Sequence, residues 1–222
     1  MTKDKLKKFA TLMIVFFGII LIVLAILVHF RNILGTDIFL SKDLQAEGDT
    51  PERQTIIYHT LYAISLFGKP LISAIMVALF ALLFWIYKYY RETIYIIFTP
   101  LSVLINSLVK IVVNRPRPTA DLVKILAIET DKSFPSGHVN FYTVFFGFLI
   151  ITLFFTPKIP KAIRYFVQVA SIILIISISF SRVYLGVHWV TDTLGGYLLG
   201  GIILCFFIYF YLRPKLKLVS KS

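Results

Sequence analysis

Six long apolar runs leave this chain few folds to adopt. Each run holds 17 to 24 residues, and about 20 apolar residues in a helix cross the roughly 30 Å hydrocarbon core of a bilayer. The pattern therefore predicts an all-α polytopic membrane helix bundle with six transmembrane helices, in a single domain over residues 1–222. The runs are Phe9–Phe30, Leu71–Tyr87, Thr93–Val113, Val139–Phe155, Tyr165–Val183 and Trp189–Leu212.

Two local patterns refine this arrangement. The short apolar stretch Thr55–Phe67 ends at residues 68–70, Gly-Lys-Pro, where a helix break is expected. This stretch is predicted to be an interfacial helix or an extension of the second span. Glycine pairs at 195–196 and 200–201 have small-xxx-small spacing, which predicts close packing of the sixth span against a neighbour.

The composition excludes a disordered chain and disfavours a soluble enzyme. Apolar residues make up 58% of the chain, charged residues only 15%, and mean hydropathy is +0.85, so polar side chains are too few to cover a water-soluble globule. The basic stretch Lys3–Lys8 resembles the start of a signal peptide, but the run after it is too long and lacks a cleavage site, so we expect a retained helix. Cys205 is the sole cysteine, which rules out an intramolecular disulfide.

The basic residues predict how the bundle is oriented in the cell membrane. With six spans, one side of the membrane holds both termini, thirteen Lys and Arg and two acids, a net charge of +11. The other side holds ten Lys and Arg and nine acids, a net charge of +1. Because Lys and Arg concentrate on the cytoplasmic side, both termini are predicted to be cytoplasmic. Loops 31–54 and 114–135 and the turn 181–188 then face the extracytoplasmic side.

Polar residues that are costly within a bilayer gather at these outward-facing ends. A charged group there costs about 2.5–3.5 kcal/mol on insertion scales, so such residues usually face a cavity and mark function. Three separate segments contribute them: Lys110–Pro118, Pro135–His138 and Ser181–Asp192.

The residue types in these segments suit an anionic phosphate. Lys110, Arg117 and Arg182 can neutralise a phosphate and stabilise the charge that spreads over its oxygens during transfer. Gly137 lets the backbone approach an anion, and Ser136 supplies a donor, with the first amides of the fourth span, at a positive helix end.

Two histidines and a carboxylate complete a candidate nucleophilic site. His188 and Asp192 are four residues apart and are expected to share a helix face. The carboxylate can then hold one ring nitrogen as N–H and leave the other free to attack phosphorus. His138, from another helix, can protonate the leaving oxygen.

Together the three segments resemble the signature of a known family. Lys110–Pro118 reads K-x6-R-P, residues 135–138 read P-S-G-H, and Ser181–Asp192 reads S-R-x5-H-x3-D. In this order they resemble the type 2 phosphatidic acid phosphatase (PAP2) superfamily, which also includes vanadium haloperoxidases and glucose-6-phosphatase-like enzymes. Every signature position is filled, and the last segment is especially like bacterial members that act on phosphatidylglycerophosphate and undecaprenyl pyrophosphate.

The resemblance implies a role for each signature residue. His188 would form a phosphohistidine, Asp192 would orient it, and His138 would act first as acid and then as base. It also implies that no metal or other cofactor is needed. The residues implied in phosphate binding are Lys110, Arg117, Ser136, Gly137 and Arg182.

The predicted function is that of an integral membrane lipid phosphatase, whose partners are the bilayer and a lipid phosphate or pyrophosphate. A vanadate-dependent peroxidase and a non-enzymatic anion or lipid transporter are the alternatives. Nucleic-acid binding is set aside because the basic residues outside the site follow the cytoplasmic edge rather than form a groove. The sequence predicts neither the lipid nor the oligomeric state.

The remaining polar residues near the predicted outer face receive structural interpretations. Arg115 is interpreted as an anchor at a helix end, and no role is assigned to His29 or His59. Three acids are interpreted as solvated loop charges: Asp121, Glu129 and Asp131.

Overall fold

A computed structural model describes residues 2–46 and 50–219 as a bundle of α-helices. No β-strand occurs in this part of the chain, so the predicted all-α class is confirmed. Residues 47–49, within a predicted outward-facing loop, and Lys221, a predicted cytoplasmic cation, lie outside the described residues. Helices α1 to α9 are, in order, Lys3–Arg31, Gly35–Ala46, Pro51–Leu66, Pro70–Ile86, Tyr90–Phe98, Leu101–Val113, Gly137–Leu153, Lys161–Tyr184 and Val190–Val219.

The helices follow the apolar runs, with two breaks. The stretch before the second span forms α3, which meets α4 at a bend of 61°. Pro70 is the first residue of α4, a position where the missing N–H of proline is tolerated, so the predicted break at residues 68–70 is confirmed. The third run was expected to be continuous but divides into α5 and α6. Pro100 caps the start of α6 and has no N–H to continue the helix before it.

Length and composition support fewer spans than the six predicted. Within the described residues, Lys3–Arg31, Tyr90–Val113, Lys161–Tyr184 and Val190–Pro214 are long and apolar enough to cross a membrane, and the bent pair α3–α4 could form a fifth span. The apolar helix α7 is shorter, with 17 residues. Protein surrounds most of α7. Its apolar side chains are therefore explained by packing inside the bundle as well as by contact with lipid.

Helix α7 forms the centre of the bundle. It packs chiefly against α8 and α9, and Phe145, Phe148 and Leu149 are fully buried there. The first helix, in contrast, exposes apolar side chains such as Ile19 and Val23, as expected for a surface in contact with lipid.

Two glycines of α9 permit its close approach to α7. A methyl group at Gly196 would lie 2.8 Å from the Ser136 carbonyl oxygen, and one at Gly200 would lie 2.7 Å from Thr143 Cβ. Because both distances are far below van der Waals contact, only glycine fits at these positions. The close packing predicted from the glycine spacing is confirmed.

The short helix α2 lies across the end of the bundle where the three motif segments meet. The Gln45 side-chain amide donates hydrogen bonds to the carbonyl oxygens of Lys124 at 2.7 Å and Tyr184 at 2.8 Å. Asp37 accepts a hydrogen bond of 3.0 Å from the Thr191 amide. Helix α2 therefore ties together the loop after α6, the end of α8 and the start of α9.

Candidate active site

Three cations from separate elements meet at this end of the bundle. Lys110 lies in the last turn of α6, Arg117 in the loop after it, and Arg182 in the last turn of α8. Lys110 Nζ lies 2.7 Å from Asp131 Oδ2, and Arg117 forms an ion pair with the same carboxylate. Arg182 donates a hydrogen bond of 2.5 Å to Glu129 Oε1. The other oxygen of Glu129 lies 3.7 Å from Arg117, so two acids link all three cations.

Glu129 and Asp131 are therefore more than the solvated loop charges of the interpretation: both pair with the site cations, although Asp131 remains exposed. Clustered cations need a counter-charge, and the loop between α6 and α7 folds back to supply it. Partial burial favours the neutral acid, but hydrogen bonds and charge from Lys110 and Arg117 outweigh it and lower the pKa of Asp131 to about 2. Asp121 is exposed, which agrees with its interpretation as a solvated loop charge.

The pair formed by His188 and Asp192 stands beside these cations. Helix α9 begins at Val190, so His188 lies in the preceding turn and not on the helix face as expected, yet the two side chains meet. Nδ1 of His188 is 3.4 Å from Asp192 Oδ2, and Nε2 is 3.3 Å from an Arg117 guanidinium nitrogen. A carboxylate behind Nδ1 favours a proton on that nitrogen and directs the lone pair of Nε2 toward the cations.

The surroundings of His188 also favour its neutral form. Burial is the largest cause, and the positive charges of Arg117, Arg182 and Lys110 add to it, so the pKa of His188 lies well below 6.5. The negative charge of Asp131 opposes this shift. At neutral pH the imidazole is therefore uncharged, as a nucleophile requires.

His138 lies in the first turn of α7 and faces the break between α3 and α4. Its Nε2 is buried without a hydrogen-bond partner among the described residues. A methyl group at Gly68 would lie 2.2 Å from His138 Cδ2. Gly68 therefore allows the backbone between α3 and α4 to lie directly against the imidazole. The sequence indicated a helix break at Gly-Lys-Pro but not this contact.

Ser136 and Gly137 form the start of α7. Ser136 is the N-cap residue, and its hydroxyl oxygen is buried with no hydrogen-bond partner in the described part of the chain. Its amide donates a hydrogen bond of 3.0 Å to the Asp192 carbonyl oxygen, which links this helix start to α9. A methyl group at Gly137 would be nearest to Asn106 Oδ1, at 3.4 Å.

A cavity of about 690 Å³ opens in front of these groups. Its polar end is lined by five of the eight predicted site residues, whereas Ser136, Arg182 and Asp192 are not part of its lining. The cavity continues between the start of α4 and the α5–α6 break, where its wall is apolar. The five site residues are Lys110, Arg117, Gly137, His138 and His188, and the apolar wall includes Ile97, Phe98, Leu101, Leu104 and Phe141.

Arg115 is not a surface anchor, and that interpretation is wrong. Its side chain is fully buried and lies on the side of Asp192 away from His188. It donates hydrogen bonds of 2.6 Å to both Asp192 Oδ1 and Asp37 Oδ2, and one of 2.7 Å to Thr191 Oγ1. The pattern of an arginine at a helix end could not reveal this, because Asp37 lies 78 residues earlier in the chain.

Comparison with known proteins decides the family. The sequence model that describes the PAP2 superfamily matches residues 91–215 of this chain. The chain belongs to the PAP2 superfamily. This confirms the resemblance inferred from the three motifs, all of which lie inside the matched region.

Two curated relatives resemble parts of this PAP2 chain. It is 39% identical over 119 residues to "Phosphatidylglycerophosphatase B" of Bacillus subtilis (strain 168), covering 51% of the chain and 54% of the relative. It is 38% identical over 71 residues to "Undecaprenyl-diphosphatase" of Sulfolobus acidocaldarius, covering 32% of the chain and 30% of the relative. The matches therefore span about half the length of the first relative and less than a third of the second.

A solved structure shares the fold over nearly its whole length. The crystal structure of a transmembrane PAP2-type phosphatidylglycerolphosphate phosphatase from Bacillus subtilis superimposes with a TM-score of 0.74 and 23% sequence identity. The match covers 89% of this chain and 94% of that chain. This PAP2 chain therefore has the helical fold of a transmembrane protein.

The two unassigned histidines of the PAP2 chain lie outside the cavity lining. His29 Nδ1 lies 3.0 Å from the Val113 carbonyl oxygen, and His59 is exposed with its ring against Tyr58. Within residues 2–46 and 50–219, no group of three or more His, Cys, Asp or Glu side chains is arranged to hold a metal ion.

Proposed function

We propose that this chain is an integral membrane lipid phosphatase, formed as one domain by residues 1–222. It would hydrolyse a phosphate monoester or pyrophosphate of a membrane lipid through a phosphohistidine. The observation that carries the proposal is the environment of His188, with a carboxylate behind Nδ1 and a guanidinium 3.3 Å from Nε2, at the polar end of a cavity whose far wall is apolar. A phosphate fits the polar end and a lipid tail fits the apolar end.

In the first step, Nε2 of His188 attacks phosphorus and the bond to the leaving oxygen breaks. His138, in its protonated form, donates a proton to that oxygen, so the alcohol or lipid phosphate leaves with this oxygen protonated. Asp192 stabilises the charge that develops on the His188 ring. Lys110, Arg117 and other donors hold the phosphoryl oxygens where negative charge spreads. The phosphate takes the place of the Asp131 and Glu129 carboxylates on these cations.

In the second step, His138, now neutral, takes a proton from water, and the resulting oxygen nucleophile attacks the phosphohistidine. The phosphorus–nitrogen bond breaks, inorganic phosphate leaves, and His188 and His138 return to their starting states. At each stage fixed groups of the protein stabilise the negative charge. These groups also include Arg182, the Ser136 hydroxyl and the Gly137 amide. We therefore propose that the reaction needs no metal.

We also propose that the chain crosses the membrane six times, with α7 as a span enclosed by the other helices and both termini in the cytoplasm. The charge asymmetry of the termini and inner loops supports this orientation. The catalytic pocket then lies at the extracytoplasmic face. The lipid would reach it sideways through the opening between α4 and the α5–α6 break.

Candidate substrates are undecaprenyl pyrophosphate, phosphatidylglycerophosphate and phosphatidic acid. The test is release of inorganic phosphate from each lipid by the purified full chain in EDTA. We expect turnover of at least one lipid, loss of that turnover in His188→Ala, and wild-type turnover in the matched control His59→Ala. Activity that requires added magnesium would contradict metal independence. Halide oxidation with vanadate, or anion flux through liposomes without phosphate release, would favour the alternative functions.

A further inference from the structure

A second, fully buried set of charges lies behind the His188–Asp192 pair. The Arg115, Asp37 and Asp192 side chains are at most 1% exposed. Arg115 joins the two acids, with 2.6 Å from one guanidinium nitrogen to Asp192 Oδ1 and 2.6 Å from another to Asp37 Oδ2. Its Nε donates to the Asn32 carbonyl oxygen at 2.7 Å. The guanidinium is therefore held on three sides.

Arg115 does not touch the phosphate region directly. It lines no part of the cavity, and its nearest link to the reaction is through Asp192. Its guanidinium is fully buried and its donors are occupied by Asn32, Thr191, Asp37 and Asp192. We therefore assign Arg115 no direct contact with substrate, which leaves an effect on the carboxylate that faces His188.

The two oxygens of Asp192 have different surroundings. Oδ2 faces His188 Nδ1 and accepts hydrogen bonds from the Ser133 hydroxyl and the Trp189 amide. Oδ1 accepts a hydrogen bond from Arg115. A buried carboxylate oxygen without a partner is strongly unfavourable, so loss of Arg115 would favour rotation or protonation of Asp192. Either change would weaken its hold on the Nδ1 proton.

Asp37 completes the arrangement from a different element. It lies on α2, and its carboxylate accepts hydrogen bonds from the Thr191 amide at 3.0 Å and the Thr191 hydroxyl at 2.8 Å. Because arginine presents donors in a rigid planar fork, fixing one edge on Asp37 also fixes the edge that meets Asp192. Helix α2 thus contributes to the geometry of the His188–Asp192 pair at the start of α9.

We propose that Arg115, anchored by Asp37, is a positioning residue that keeps Asp192 ionised and turned toward His188. This inference rests on the proposed phosphatase function. It predicts that Arg115 affects the chemical step and leaves phosphate binding nearly unchanged, whereas Arg117 affects both.

The test compares Arg115→Gln and Arg115→Lys in the purified full chain. We expect Arg115→Gln to lower kcat by about 10- to 100-fold, the usual range for residues that orient a reacting group from behind. KM and inhibition by inorganic phosphate should change by less than about twofold. Arg115→Lys should retain more activity than Arg115→Gln because it keeps the positive charge. The control Arg31→Gln, at an exposed arginine at the end of α1, should behave as wild type.

Melting temperatures separate positioning from folding. If Arg115→Gln fails to fold, Asp37→Asn and Thr191→Val test the same network with smaller changes and should also lower kcat without raising KM. A wild-type kcat in folded Arg115→Gln or Asp37→Asn would overturn the inference, and so would a loss confined to KM. If His188→Ala is inactive while Arg115→Gln is fully active, this inference alone fails, whereas a wild-type chain inactive on every lipid removes both proposals.

Discussion

Two groups of charges lie on either side of His188, and they differ chiefly in exposure. On the cavity side, Lys110 and Arg117 pair with Asp131, whose side chain is 56% exposed. Behind the imidazole, Arg115 pairs with Asp37 and Asp192, which are at most 1% exposed. Similar ion pairs therefore serve different purposes in the two places.

Solvent accounts for this difference. An exposed ion pair is worth about 0–1 kcal/mol because water screens it and solvates either partner alone. Breaking a buried pair costs about 3–5 kcal/mol because one charge is left without solvent or partner. We therefore expect the cavity-side acids to give way to a phosphate and the buried network to keep its arrangement.

The largest predicted effect comes from the end of the buried network. Asp192→Asn should lower kcat by about 10³- to 10⁴-fold, because an amide cannot enforce the Nδ1–H tautomer or stabilise the charged ring. Residual phosphate release should still exceed that of His188→Ala. Equal rates in the two variants, measured in parallel, would argue against an orienting role for Asp192.

Removing a cation on the cavity side should have the next largest effect. Arg117→Gln should lower kcat/KM by about 10²- to 10³-fold, the range for loss of one group that stabilises transition-state charge. In contrast to Arg115→Gln, it should also weaken inhibition by inorganic phosphate. Steady-state kinetics with inorganic phosphate as the inhibitor measure both quantities, and unchanged phosphate inhibition would place Arg117 outside the phosphate site.

Stability should distinguish the two groups of acids directly. Asp37→Ala should lower the free energy of unfolding by about 3 kcal/mol, since Arg115 loses a buried partner. The matched change Asp131→Ala should lower it by less than about 1 kcal/mol, because that carboxylate is half exposed. Denaturation of both variants in the same detergent checks the difference, and equal losses would contradict the contrast.

The pH dependence of the reaction should reflect the cations around His188. Because the pKa of His188 is lowered well below 6.5 by burial and then by Arg117, the neutral nucleophile should persist below pH 6.5. The fall of kcat/KM on the acid side of the profile should therefore begin only at lower pH. Arg117→Gln removes one positive charge that opposes protonation of His188. The pKa of His188 should therefore rise, and the fall of kcat/KM should begin at a higher pH. A profile that is unchanged, or shifted to lower pH, would contradict this assignment.

The smallest predicted effect concerns the acid that phosphate must displace. Asp131→Asn should strengthen inhibition by vanadate by about fivefold or less, because water screens a carboxylate that is 56% exposed and limits its pairs to about 1 kcal/mol. Titration of the initial rate with vanadate measures the change. Weaker inhibition would mean that Asp131 assists phosphate binding and does not compete with it.

Local patterns in the chain were sufficient for much of the site. The motif spacing brought His188 and Asp192 into contact and placed Lys110, Arg117 and Arg182 around the same loop. The same patterns failed for Arg115, Glu129 and Asp131, whose partners lie on other elements. They also missed the contact between Gly68 and His138. The Gly-Lys-Pro pattern indicates a break between two helices but does not indicate which side chain packs against it.

Apolar run length and residue spacing are properties of short stretches of sequence. They were sufficient to predict the helical membrane class, the break before the second span and the candidate catalytic residues. Whether a charge is screened by water or sealed in protein depends on every neighbour in space. For this reason only the tertiary structure revealed that Glu129 and Asp131 pair with the site cations. The same holds for the position of Arg115 between Asp37 and Asp192. The division of the third run at Pro100 and the cavity beside it are likewise outcomes of packing among helices distant in the chain.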